Sequence, residues 1–294
     1  MKKNETVSRK IFVVCNYVFL LSLAFICLCP IINVLAISFS DQAYVSAGLV
    51  KLLPKGFNTK SYEFVISNAE YLRSMLVTIK RVVLGVSTNL ILTTLIAYPL
   101  SKEVREFKRR TFYAWMFMIT MIFSGGLIPT YMVVNQFGLI DKIWALILPG
   151  AVPIFSVVLM LNFFRGLPKE LEDAAFIDGA GYIIALFRIY VPISAPSIAT
   201  IALFATVNHW NAWFDGLIYM NKPQNYPLQS YLQTVIIERN LEMMSSLEIA
   251  NIEEISDRTQ KAAQIFIGTL PILLVYPFMQ RYFTKGIVLG SVKG

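Results

Sequence analysis

Six stretches of this chain stay apolar for about twenty residues or more, and that repetition restricts what it can fold into. They run roughly over Ile11–Phe39, Ser74–Leu100, Thr111–Val134, Ile143–Phe164, Val191–Met220 and Ala262–Phe283. A helix rising 1.5 Å per residue needs about 20 residues to cross a bilayer core. All six stretches meet that length, and they are too long and too poor in charge for buried helices of a soluble bundle. Of the 294 residues, 56% are apolar or aromatic and 15% are charged. A soluble domain carries about 25% charged residues. The mean hydropathy is +0.61. A water-soluble globule, intrinsic disorder and a disulfide-rich scaffold are thereby excluded. The predicted class is an all-α integral membrane protein with six transmembrane helices.

The first stretch begins with Lys2, Lys3, Arg9 and Lys10. Its apolar run exceeds a signal peptide's core of about 7–15 residues, and no A-x-A-like site follows. It reads as a retained helix. Charge then orients the spans. Further basic residues lie after span 2 (Lys102, Arg105, Lys108, Arg109, Arg110), after span 4 (Arg165, Lys169, Arg188) and in the tail (Arg281, Lys285, Lys293). With the N-terminal four they make fifteen of the 26 basic residues on one side. Both termini are therefore expected in the cytoplasm. The net charge of +8 is a topology signal first, so nucleic-acid binding is not expected. Lys80 and Arg81 fall inside span 2. They read as snorkelling at the outer interface, with contact to an anionic substrate as the alternative. Cys15, Cys27 and Cys29 match neither a zinc nor a redox spacing and read as packing residues.

Several chemistries are missing from the sequence. There is no G-x-x-x-x-G-K-[ST] phosphate loop, no H-E-x-x-H, no G-x-S-x-G and no metal-ligand cluster. The single histidine, His209, reads as a hydrogen-bonded packing residue. An intramembrane carboxylate pair, which a proton-coupled carrier would need, is also absent. The sequence therefore offers no catalytic group, no cofactor motif and no metal site.

The segment between spans 4 and 5 is the most informative. Pro168 can open a helix, and Glu170, Glu172 and Asp173 occupy its first turns, where the helix dipole favours anions. Ala174, Ala175 and Gly179 are small and fall near one face, and Gly179 and Gly181 permit a sharp turn into a second helix. Geometry alone leaves two readings, a docking surface or a packed connector.

This segment resembles the EAA loop of binding-protein-dependent ABC importer permeases: E-A-A, three residues, G, nine residues, I-x-L-P. The match here is Asp173-Ala174-Ala175, Gly179 and Ile189-Tyr190-Val191-Pro192, with Asp for Glu and Val for Leu. Phe123–Thr130, Trp144–Ala151, Pro227–Gln233 and the ending Lys285–Gly294 resemble the carbohydrate, maltose-type branch. Within it they are most similar to the subgroup for complex oligosaccharides and for lipoprotein-like or uronate-containing glycans. The resemblance implies a type I ABC importer permease in which the loop is a cytoplasmic coupling helix. Glu172, Asp173, Ala174, Ala175 and Gly179 would then carry the ATPase contact. It implies as partners a second homologous permease, two cytoplasmic ATPase subunits that bind the ATP, and an extracellular or periplasmic solute-binding protein. Residues 1–10 are expected as a cytoplasmic N-terminus. Residues 11–294 are expected as a single transmembrane permease domain with its coupling loop over 165–190. Peptides, polyamines or amino acids are the alternative cargo, and a secondary carrier is the alternative machine.

Within span 5, Asn208, Asn211 and Asp215 are spaced to share a helical face, with Trp210 and Trp213 on an adjacent one. Amides and a carboxylate can hydrogen-bond sugar hydroxyls, and an indole suits the apolar face of a pyranose. The competing reading is interhelical glue and an interfacial aromatic belt. Gly125, Gly126 and Pro129 break span 3, either as a hinge or as a tolerated kink, and Pro149 and Pro153 weaken span 4. Leu228, Leu232, Val235 and Ile236 suggest a short outer helix, either facing the binding protein or capping the fold.

Overall fold

The computed structural model describes residues 7–242, 258–275 and 277. Among them there is no β-strand. In chain order the helices are α1 (Val7–Ser38), α2 (Gln42–Ser46), α3 (Lys60–Ser67), α4 (Ala69–Ser101), α5 (Arg110–Ile122), α6 (Leu127–Gln136), α7 (Ile154–Arg165), α8 (Glu170–Ile177), α9 (Tyr182–Ala185), α10 (Val191–Ile193), α11 (Ala195–Asn211), α12 (Phe214–Tyr219) and α13 (Leu228–Glu242). A further helix, α14, covers 258–275.

Two helices, α1 and α4, are long and apolar enough to cross a membrane unbroken. Three further helix pairs are apolar and long enough only if each bent pair is taken together; two fall on the expected third and fourth spans, and the last begins at Tyr182, nine residues before the expected fifth. The α5–α6 pair turns by 116°, the stretch from Ile143 to Arg165 by 53°, and Tyr182–Ile193 meets α11 at 80°. The sixth expected span is described only as the helix over 258–275 and residue 277. Its end, the basic tail and residues 243–257 of the expected outer segment lie outside the described residues.

Each bend has a local cause. Between α5 and α6, Gly126 takes φ +87°, a left-handed conformation open to glycine at little steric cost. The backbone groups released there find nearby partners: Gly126 N–H donates to Ser124 Oγ at 3.3 Å, and Thr130 Oγ1 donates to Gly126 O at 2.7 Å. Such compensation is what a break at membrane depth requires. The stretch before α7 winds as two short 3₁₀ turns, Ile143–Leu146 and Leu148–Gly150, and Pro153 caps α7. Ahead of α11, a π-turn over Leu186–Tyr190 is followed by Pro192 and Pro196, neither of which can donate a backbone hydrogen bond.

The chain divides into two compact units. One comprises the described residues of Met1–Leu72 and Val235–Leu270, the other those of Arg73–Thr234 and Pro271–Gly294. In the first unit α1 is exposed along almost its whole length. Cys15 and Cys27 are exposed and Cys29 is partly so. Among the described residues nothing packs over Cys15 and Cys27, so the packing role expected of the cysteines is not found there. The end of α1 is fastened by Ser38 Oγ against Tyr62 Oη at 2.7 Å and by the stacking of Phe39 on Tyr62 at 4.6 Å. Tyr71 Oη donates to Gln264 O at 2.9 Å, tying the start of α4 to α14.

The second unit holds the main core. Ala97, Tyr98 and Leu100 of α4 pack with Val157, Met160 and Phe164 of α7, Leu186 and Tyr190 of the π-turn, and Ile201 of α11. A smaller cluster joins Val134, Ala145, Leu146, Tyr219 and Met220.

Candidate coupling and substrate-contact sites

Helix α8 forms where the sequence places it, with Glu170, Glu172 and Asp173 in its first turn. It ends at Asp178, and Gly179 then takes φ +84°. Gly179 N–H donates to Phe176 O at 3.1 Å, and Ala180 N–H donates to Ala175 O at 2.9 Å. This pair of bonds is a Schellman stop, which the left-handed glycine makes possible. The chain then turns at Gly181 into α9.

The five residues of this loop do not share one environment. Asp173, Ala174 and Gly179 are exposed, while Glu172 and Ala175 are buried at 8% exposure each. The expected small-residue face is therefore divided. Ala175 is turned inward, and Gly179 sits beyond the helix end, in the turn. The outward side of α8 carries Asp173, Ala174, Phe176 and Ile177, the last 87% exposed.

Glu172 is the anchor of the loop. Its carboxylate accepts from Lys102 Nζ, from Tyr98 Oη at 2.7 Å and from Tyr190 Oη at 2.8 Å. The Lys102 ammonium lies over the Tyr98 and Tyr190 rings, 4.1 and 4.6 Å from their centroids. A buried ammonium thus has two aromatic faces and one carboxylate, which together offset its desolvation. Burial pushes the Glu172 carboxyl up, but Lys102 and the two tyrosine hydroxyls outweigh it, and the group rests below its ordinary range. Nearby, Lys169 pairs with Glu103 on the exposed surface. Arg165 donates to Leu100 O at 3.2 Å and Arg110 to Lys102 O at 3.1 Å. These cations satisfy carbonyls at the end of α4, where the helix dipole favours them. Sequence reasoning counted Lys102, Arg110 and Arg165 only as orientation signals. The placement of Lys102 four residues after Tyr98, where i and i+4 meet, was the available hint.

Towards the other end of α4, Arg81 is buried at 2% exposure and pairs with Asp215 through both guanidinium nitrogens. It also donates to Ala212 O at 3.3 Å and Leu146 O at 3.5 Å. Arg81 is therefore not snorkelling. It is turned into the protein because α11 stops at Asn211 and α12 restarts at Phe214, leaving a carbonyl and a carboxylate that need a cation. Lys80, its neighbour, remains exposed.

The same break corrects the face expected in span 5. Asn208 and Asn211 lie on α11, but Asp215 lies on α12, so i, i+7 geometry does not join them. Asn208 and Asn211 are exposed, Asp215 is partly exposed and committed to Arg81, and Trp210 is buried at 5%. Trp213, at 41% exposure, meets Phe214 edge-on. His209 is a packing residue: its Nε2 lies 2.9 Å from Asn89 Oδ1, while the Asn89 amide donates to Gly150 O and Ala151 O at 3.0 and 2.9 Å. Gly125, Gly126 and Pro129 are all exposed at the α5–α6 bend.

In the turn after α6, Asp141 adopts φ +62°. Its carboxylate accepts from the backbone N–H groups of Asn221 and Lys222 at 2.8 and 3.1 Å. Desolvation raises its carboxyl, and these donors together with Asn225 and the Lys222 charge outweigh it and hold the group below its ordinary value. No cluster of metal-ligating side chains occurs among the described residues.

This arrangement has known counterparts. Residues 73–288 match the family described as binding-protein-dependent transport system inner membrane component. The chain is 41% identical to protein LplC of Bacillus subtilis (strain 168), over 99% of this chain and 98% of that one. It is 38% identical to the polygalacturonan/rhamnogalacturonan transport system permease protein YtcP of the same organism, over 97% and 99%. Its fold is similar, with a TM-score of 0.86 and 30% identity, to a solved bacterial ABC transporter involved in the import of the acidic polysaccharide alginate. That match covers 96% of this chain and 100% of the other. The bent apolar helices, the α8 loop and these matches lead to one assignment: the chain belongs to the family of inner membrane components of binding-protein-dependent transport systems.

Proposed function

We propose that this chain is a membrane-spanning permease subunit of an ATP-driven importer for carbohydrate, with an oligosaccharide as cargo. The names of its relatives favour sugar over peptide, polyamine or amino acid. Six spans would cross the membrane with both termini in the cytoplasm, the helix over 258–275 beginning the sixth. Residues 1–10 would lead into a permease domain extending over 11–294. A second, similar permease would complete the pore, a solute-binding protein would deliver sugar from outside, and two ATPase subunits would bind and hydrolyse ATP.

The observation that carries this reading is the Glu172–Lys102 bracket beneath an outward-facing α8. A helix that transmits force must be gripped on one side and open on the other. Glu172 supplies the grip on the spans, and Asp173, Ala174 and the Gly179 turn supply the open side for the ATPase. Ala175 packs beneath and sets the depth of α8. ATP-driven closure of the ATPases would move α8 and, through Lys102 and Tyr98, the end of α4. That selects the outward-facing state from a pre-existing pair. The α5–α6 bend at Gly125, Gly126 and Pro129 would be the hinge. Asn208, Asn211 and Trp213 are the path residues left accessible; Trp210 and Asp215 would support them from within.

The test is uptake of labelled oligosaccharide into vesicles carrying the chain with its partners. ATP-dependent uptake that disappears when the ATPase subunits are omitted is expected. Uptake that persists without them, or uptake of peptide alone, would overturn the assignment.

A further inference from the structure

Close to the Arg81–Asp215 pair lies a cavity of about 390 Å³ lined by Lys80, Lys142, Trp144, Asp141 and Asn225 among others. Small-ligand pockets span about 300–1,000 Å³. The charges around it are unequally committed. Asp141 accepts from the backbone N–H groups of Asn221 and Lys222 and from the Asn225 amide at 3.4 Å, all at Oδ1, and its single negative charge leaves the two lysines of the lining in excess. Arg81 is neutralised by Asp215. No carboxylate pairs with Lys80 or Lys142 among the described residues, and both are exposed. Trp144 is 42% exposed. The cavity thus offers two uncommitted ammonium groups beside an open indole.

We propose that this cavity is a subsite for an acidic oligosaccharide, with Lys80 and Lys142 binding a uronate carboxylate and Trp144 lying against the pyranose ring. An ammonium–carboxylate hydrogen bond is charge-assisted, and an indole face accepts the apolar C–H face of a sugar. A neutral sugar would leave both ammoniums unused. A bare phosphate or lipid headgroup would leave the indole unused. The subsite rests on the carbohydrate reading and narrows it to sugars carrying a carboxylate.

The test uses the transporter assembled with its partner subunits in phosphatidylcholine nanodiscs. Amine acetylation of Lys80 and Lys142 is followed by mass spectrometry with trigalacturonate, with neutral galactotriose, or with phosphatidylglycerol added to the disc. Protection by trigalacturonate alone is expected. In uptake, the double variant Lys80→Gln/Lys142→Gln should raise the KM for trigalacturonate about tenfold, the order that two exposed ion pairs supply. Uptake of neutral sugar should not change. Reactivity unmoved by trigalacturonate, protection by phosphatidylglycerol instead, or a trigalacturonate KM equal to wild type in the double variant would each overturn the subsite. Import of galactotriose alone would overturn the subsite and leave the carbohydrate function standing. Failure to import any sugar would remove both.

Discussion

Arg81 in α4 and Lys102, one residue past its end, flank the apolar stretch between them, and each meets a carboxylate delivered from far along the chain: Asp215 for Arg81, Glu172 for Lys102. At 1.5 Å per residue the two cations are about 30 Å apart, the thickness of a bilayer's hydrocarbon core. The ion pairs therefore bracket the apolar part of α4, and each ties that part of the helix to a neighbouring element.

Removing one member of a buried pair strands the other, at about 3–5 kcal/mol. Glu172→Gln leaves the Lys102 ammonium between two aromatic rings without its counter-charge. Its thermal midpoint in detergent should fall, and Lys102→Met in the same background should recover part of the loss. A double-mutant cycle on thermal unfolding measures that coupling.

The pH dependence of the bracket follows from its sign. The folded Glu172 carboxyl lies below its ordinary value of 4.5. Its contribution is therefore complete above that value and is lost as pH falls through the lower, folded one. Stability should be flat between neutrality and about pH 5 as far as this group is concerned. Below pH 4.5 wild type should lose more stability than Glu172→Gln does. Parallel acid unfolding curves for the two proteins would contradict this.

Asp215→Asn should destabilise by about 3 kcal/mol, the lower end for a stranded buried charge, because Asp215 is partly open to solvent. Arg81 also caps Ala212 O, so the break between α11 and α12 should loosen. Faster amide exchange around residues 212–216 is the expected readout.

Gly179→Asp places a side chain where φ is +84°, with no neighbouring atom within 4 Å. The penalty is backbone strain, about 1–2 kcal/mol, confined to the turn after α8. The protein should reach the membrane in normal amount while transport per ATP hydrolysed falls. A bulky residue at exposed Ala174 should do the same by blocking approach. Normal coupling ratios in both variants would remove α8 as the ATPase contact.

Gly85→Ala drives a methyl group into the His209 ring. The His209–Asn89 contact at 2.9 Å must open or the helices must part. Overpacking of this kind costs about 1–3 kcal/mol. In the His209→Ala background, Gly85→Ala should lower the thermal midpoint no further if the clash is the cause.

The features legible in the sequence were those that depend on near neighbours. Apolar run length predicted α1 and α4 because spanning a bilayer is a matter of length and hydrogen bonding within one helix. Gly125–Gly126, Pro153 and Pro192 each lie at or beside a bend, because φ freedom and a missing N–H act within a turn or two. Gly179 was expected to end α8, and its Schellman bonds join residues only three and five apart. The partners of the charges depended on contacts across long stretches of chain. Asp215 was grouped with Asn208 on the assumption of an unbroken helix, and the stop at Asn211 turned it towards Arg81. The resemblance implies an ATPase contact for Glu172 along with its neighbours, but a motif does not show which way each of its side chains turns, and Glu172 is buried against Lys102. Periodicity thus determined which residues lie together on α4, α8 and α11. Their rotation about the helix axes was decided by tertiary packing, since only there could Lys102 lose water and gain Glu172, Tyr98 and Tyr190 together.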